Sequence, residues 1–290
     1  MEKVISLLNN HLLSNEITFS EPYFISQDKK TIMGEVPFSE ILFLDYRDTE
    51  AGSNPREFIG IKKTNINILK SLLSSPANKF RFLHSGINVS LLNENIEGLT
   101  VKYDDCCLTN GNQTRFIILA IVFLKLFFGK SNLTSVKQVN INTFLKDHFK
   151  NSPKSISVFS NLRYSKINEV VNFLLNDNKY HNLFKAIDLE SFVNSKIRIQ
   201  LNLVSNILED LEDESDAYTV GTIIAEANND TQKVRADDIF GNKYKTELGS
   251  KIFKKFMTEY ANKVEIEYRF GEITDKKDKV HILTLLRPII

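Results

Sequence analysis

Asn110, Gly111, Asn112, Gln113, Thr114 and Arg115 stand together as NGNQTR, directly before FIILAIVFLKLFF, an apolar run broken by a single lysine. Amides, a glycine, a hydroxyl and a guanidinium in that order suit the binding of an anion. The first four N–H groups of a helix lack intrahelical partners, and the macrodipole makes that end positive. A glycine turn at a helix start therefore lets a phosphate approach closely. Arg115 would add a bidentate fork. Asn112, Gln113 and Thr114 would donate to a phosphate or a ribose. The same residue types also suit simple capping, with Asn110 and Thr114 as caps and Gly111 supplying a positive φ. Both readings need a strand that turns into a helix. Asn-Gly is otherwise a hairpin signal, but the apolar run behind it does not alternate and is long for a buried strand, which favours a helix.

Other polar clusters carry weaker chemistry. FRFLHSGINVS sets His84 and Asn88 on either side of Gly86, at a bend between two strand-like segments. A structural histidine and a ligand-binding one both fit that position. AEANNDTQKVRADD places Asn229, Gln232 and Lys233 just past a helical pattern, where asparagine is an ordinary C-cap. DYRD combines Arg47 with Asp45 and Asp48, and a local salt bridge is its default explanation. His-Glu-x-x-His, Cys-x-x-Cys, P-loop and nucleophile-elbow patterns are absent. No spacing points to a metal site, and the catalytic residues stay unassigned.

Composition bounds the class. With 290 residues, 42% hydrophobic and 25% charged, the chain has enough apolar material for a substantial core. A net charge of +1 gives no global attraction to nucleic acid or an anionic membrane, so any basic surface is local. Adjacent residues rarely meet disulfide geometry, so Cys106 and Cys107 are expected as reduced thiols of a cytoplasmic protein. VISLL gives way at once to polar residues, and no secretory signal is expected. The run Phe116 to Phe128 falls short of the roughly 20 residues of a membrane helix, so no membrane partner is expected.

The elements that must position these residues follow from periodicity. MEKVISLLNNHLL and the segment Ile59 to Leu73 have helical spacing, and ILFLDYRD has the enrichment of a buried strand. INVSLL, LTVKYDD and CCL continue as strands up to the opening motif. NFLLNDNKYHNLFKAI reads as a surface helix pair and KIRIQLNLV as a half-buried strand. AYTVGTIIAEAN reads as a helix, NDTQKVRADD as a polar turn, KYKTELGSKIFKKFMTEY as an amphipathic helix with a lysine face, and VEIEYRF as a strand. The class is α/β or α+β, a mixed sheet with packed helices.

ILFLDYRD, GIKKTNINILKSLL, FRFLHSGINVSL, LTNGNQTRFIIL and EANNDTQKVRADDIFGN follow one another in an order that resembles the core of the abortive-infection phage-resistance (AIPR) family of bacteria. IEYRFGE resembles that family's closing strand, so the likeness spans roughly Ile41 to Glu272. His84 and Ser85 stand where the family has two asparagines, and Asn112 where it usually has cysteine. NGNQTR with the distant NNDTQKV also resembles paired elements of DndB-like proteins. Those are regarded as relatives of the ParB and sulfiredoxin fold, in which a glycine turn at a helix start holds nucleotide phosphates.

The resemblance implies a cytoplasmic phage-defence protein with a ParB- and sulfiredoxin-like core. Residues 1–40 would form an N-terminal helical and strand segment, 41–130 the first half of the core, 131–194 a helical insertion and 195–290 the second half, in one compact domain. Asn110 to Arg115 would hold a nucleotide or nucleic-acid phosphate. Asn229, Gln232 and Lys233 would form the opposite wall, with Arg47, His84, Gly86 and Asn88 nearby. The cofactor is left open, with a nucleoside triphosphate and magnesium as the candidate; if the chain hydrolyses anything, it is that triphosphate, because Asp or Glu near a phosphate site would suit magnesium. The alternative is a sensor that recognises a phage component or nucleic acid and acts through a defence-system partner. For nuclease action the sequence shows no carboxylate-lysine motif.

Overall fold

The structure, a computed structural model, describes residues 1–45, 49–54, 60–74, 80, 86–128, 143–144, 146–149, 164–209, 217–230, 265–267 and 279–281. Helices and strands interleave along the chain, the mixed α/β class expected. The helices are α1 (Glu2–Leu13), α2 (Phe38–Ile41), α3 (Lys63–Ser74), α4 (Asn112–Phe128), α5 (Tyr164–Asn176), α6 (Asn178–Ala186), α7 (Leu189–Val193), α8 (Val204–Leu208) and α9 (Ala217–Asp230). The strands are β1 (Glu16–Thr18), β2 (Phe24–Ile25), β3 (Thr31–Pro37), β4 (Ile87–Leu92), β5 (Asn95–Glu97), β6 (Thr100–Lys102), β7 (Asp105–Asn110), β8 (Lys196–Leu203), β9 (Glu265–Glu267) and β10 (Lys279–His281).

A five-stranded mixed sheet, in the order β2-β3-β8-β4-β7, organises the molecule. β8 and β4 run parallel, and the other neighbours are antiparallel. A smaller antiparallel sheet, β1-β6-β5, lies apart from it, and β9 pairs in parallel with β10. The alternation of KIRIQLNL decides which face of the large sheet is which: Ile197, Ile199, Leu201 and Leu203 are buried, whereas Arg198 is exposed. With Ile32, Val36, Val89 and Leu91 they form the inner face, and they share one core cluster with α1, α4 and α5.

Every residue of α4 except Gln113 and Phe127 is buried, as befits a helix apolar on all sides. Its lysine has a reason to be there. The Lys125 ammonium donates to the carbonyls of Phe184 (3.4 Å) and Lys185 (3.2 Å), at the negative end of α6, and lies 5.5 Å from the centre of the Phe184 ring. The helix pair expected around NFLLNDNKYHNLFKAI is present as α5 and α6. It is sunk into the core through Ile167, Val170, Leu174 and Phe184. Asp177 caps α6 by accepting from the amides of Lys179 and Tyr180, and Asp188 caps α7 by accepting from that of Ser191.

Other sequence expectations also differ from the structure. ILFLD is not a strand: Ile41 closes α2, Leu42 and Phe43 form a turn, and all three are buried with Leu44. A continuous apolar run reports burial and leaves the backbone conformation open. Helix α3 starts at Lys63 rather than at Ile59, because Gly60 has φ +85° and its carbonyl is held at 2.5 Å by the Asn65 side chain.

Glu94 is half-buried between β4 and β5, and its Oε2 has no hydrogen-bond partner. Burial raises its carboxyl pKa above the ordinary 4.5, with repulsion from Glu209 adding to the effect. The folded state thus binds this proton more tightly than the unfolded chain. The contribution to stability is full below the unfolded pKa and is lost as pH rises through the higher folded value. Glu94→Gln is expected to raise stability at pH 7 and leave it little changed near pH 4, as urea denaturation at the two pH values would show.

Candidate functional site

β7 ends at Asn110 and α4 begins at Asn112, so Gly111 makes the whole turn. Its φ is +97°, a region that side chains rarely adopt. A Cβ there would also run into Ile87, lying 2.9 Å from that residue's Cβ. Glycine is required for both reasons. The first helical bond runs from the Arg115 amide to the Gly111 carbonyl at 3.0 Å. Across the ladder, Asn110 pairs with Asn88, at a register shift between Asn88 and Val89. Asn110, Gly111, Gly86 and Asn88 therefore meet at one end of the sheet.

Beyond the turn the motif faces inward. Asn112, Thr114 and Arg115 are buried, and Arg115 is only 1% exposed. Its Nη1 donates to the Leu42 carbonyl at 2.9 Å, while Nε (3.3 Å) and Nη2 (3.2 Å) both donate to Asn112 Oδ1. The fork expected to meet an anion thus clamps the start of α4 to the turn after α2. Gln113 is half-buried, and its Oε1 accepts from Asn65 Nδ2 at 2.8 Å, which ties α3 to α4. What the opening motif presents at the sheet end is Asn110 and the Gly111 backbone.

The outer face of the sheet supplies the rest. Cα pairing places Phe24 opposite Met33, Met33 opposite Gln200, Gln200 opposite Asn88 and Asn88 opposite Asn110. Directly opposed residues share a face, so these five side chains form one row across all five strands. A second row holds Glu35 opposite Arg198, with Gly86 against the Arg198 carbonyl. Between them lies a cleft of about 310 Å³, lined among others by Met33, Glu35, Gly86, Asn88, Arg198 and Gln200. Helix α9 roofs the β7 side. There the Ser53 amide donates to Thr222 Oγ1 at 3.2 Å, Asn54 Nδ2 donates to the Leu108 carbonyl at 2.6 Å, and Gly221 leaves no room for a Cβ beside Ala51.

Arg47, His84, Gln232 and Lys233 lie outside the described residues, as does the lysine face expected between Lys243 and Lys255. Asn229 sits in the last turn of α9, and its side chain also lies outside them. Sequence reasoning missed Glu35, Arg198 and Gln200. The alternation of KIRIQLNL put Arg198 and Gln200 on one face, but nothing local says that Glu35, Gly86 and Asn88 flank them. Cys106 and Cys107 are buried thiols outside any disulfide, and as successive residues of β7 they point to opposite faces. Among the described residues no three His, Cys, Asp or Glu side chains are grouped to hold a metal ion, and no helix is long and apolar enough to cross a membrane. No family model, curated protein or solved structure matches the chain.

Proposed function

We propose that this chain is the core of a cytoplasmic phage-defence protein, holding a nucleotide or nucleic-acid phosphate where the Gly111 turn meets the polar face of the sheet. The observation that carries the reading is the pairing of Asn110 with Asn88, two residues before the first residue of a 17-residue helix and beside the cleft that Arg198 lines. The order of motifs supports the phage-defence setting and the ParB- and sulfiredoxin-like core. Arg198 takes the cationic role expected of Arg115, because its side chain is exposed at the cleft whereas that of Arg115 is spent inside. Magnesium would accompany a triphosphate.

Thermal melting with each common nucleotide, with and without magnesium, tests the proposal. A ligand at 100 times its Kd adds about 2.7 kcal/mol, roughly 4–5 °C for a chain of this size. Arg198→Gln should melt like the parent chain alone and lose most of the shift. If no nucleotide moves the melting point, the phosphate site is gone. DNA or RNA binding that falls steeply with salt would put the sensor reading in its place.

A further inference from the structure

We infer that the open face of the sheet reads a nucleobase, and that its ligand is an adenine ribonucleotide lying across β3, β8 and β4. The inference rests on the phosphate-site reading for the position of the ligand's phosphate end only.

The row Phe24, Met33, Gln200, Asn88 changes character midway. Phe24 is 59% and Met33 42% exposed, so two large apolar side chains stand side by side next to the amides of Gln200 and Asn88. Neighbouring strands lie about 4.8 Å apart, which puts this apolar pair within one purine's width of the amides beyond it. A thioether and a phenyl ring are good partners for a base: the ring stacks and the sulfur packs against a π-face. Gln200 follows in the row. Its Nε2 donates to Asn202 Oδ1 at 3.0 Å, and Asn202 Nδ2 donates in turn to the Val89 carbonyl at 3.4 Å. That chain fixes the orientation of the amide and leaves Oε1 as the acceptor Gln200 offers. Adenine presents a donor at N6 beside an acceptor at N7, the edge that Asn and Gln amides match. Gln200 Oε1 takes N6–H, and the Asn88 amide lies one strand further along the same edge.

The second row sits two residues along the strands, about 7 Å away, a distance suited to the step from base to phosphate. Glu35 there takes ribose hydroxyls, as an acidic residue does in dinucleotide-binding sites. Arg198 takes a phosphate, and Gly86, lacking a side chain, leaves the way open toward Gly111. Charge selects a mononucleotide over a strand. On this face Lys196 is ion-paired with Glu21, and Arg198 faces Glu35 across the ladder. Nucleic-acid binders instead neutralise several phosphates at once. The cleft volume of about 310 Å³ is at the small end of small-molecule sites.

Calorimetric titration of the full chain with ATP, deoxy-ATP, GTP, adenosine, inorganic tripolyphosphate and a single-stranded oligoadenylate tests this. ATP should bind about tenfold tighter than GTP, the low end of base discrimination, because Gln200 Oε1 accepts from adenine N6–H and would face the O6 acceptor of guanine. Adenosine should bind without any phosphate. Gln200→Leu should abolish the preference for adenine and leave tripolyphosphate binding intact. Glu35→Ala should remove the preference for ATP over deoxy-ATP. Equal binding of ATP, GTP and tripolyphosphate overturns the base reading while the phosphate site stands. Adenosine binding without tripolyphosphate binding supports the base reading and removes the phosphate site. Oligoadenylate bound tighter than ATP, with steep salt dependence, overturns the choice of a mononucleotide, and no binding by any compound overturns both readings.

Discussion

Arg115→Ala should cost about 3–5 kcal/mol of folding stability, a large share of the roughly 5–15 kcal/mol margin of an ordinary domain. The side chain is among the largest that are fully buried. Removing it leaves a cavity and takes the donors from the Leu42 carbonyl and from Asn112 Oδ1. Arg115→Lys should recover only part of the loss, because an ammonium on a single stem cannot serve both acceptors in a planar fork. Urea denaturation measures both variants, and a loss under about 1 kcal/mol for the alanine variant would show that the clamp is unimportant. Loss of ligand binding in an Arg115 variant is accordingly a folding effect, and Arg198 is the position that diagnoses the site.

Gly111→Ala should be comparably damaging, at about 2–6 kcal/mol. Strain at φ +97° accounts for about 1–3 kcal/mol, and the collision with Ile87 adds an overpacking cost of similar size. Gly98→Ala is the matched control. Gly98 also has a positive φ, +62°, but a Cβ there would meet nothing within 4 Å. It should cost only about 1 kcal/mol, the conformational part alone. A difference of about 1 kcal/mol or more between the two variants by chemical denaturation measures the contact with Ile87 together with the less accessible φ of Gly111. Equal losses would mean that the turn tolerates a side chain and that glycine serves only its φ.

The sequence carried the local parts of this architecture and few of the distant ones. The strand, glycine and helix at 105–128 were legible because a sharp change of hydrophobic period and an Asn-Gly pair mark the turn itself. The helix in 63–74 and the alternation in 196–203 were legible for the same reason. The run ILFLD was misread because burial and extended structure give the same apolar signature over five residues. The direction of Arg115 was hidden by its company: a guanidinium in a polar cluster reads as surface, yet three residues into a core helix it points inward and finds the Leu42 carbonyl. The row from Phe24 to Asn110 joins residues on β2, β3, β8, β4 and β7. Their adjacency depends on sheet order and register, which no local pattern records. Asn65 is a further case, the first of two asparagines in NINILK, whose amide bridges Gly60 and Gln113.

Hydrogen–deuterium exchange with and without saturating ATP and magnesium tests the central claim most directly, since it locates a bound phosphate by the backbone amides it engages. The account predicts slowed exchange in three stretches at once: 86–90, 109–114 and 197–201, with α6 and the β1-β6-β5 sheet unchanged. Saturation by ATP with no slowing at 109–114, or with protection confined to other parts of the chain, would contradict a phosphate site at the Gly111 turn.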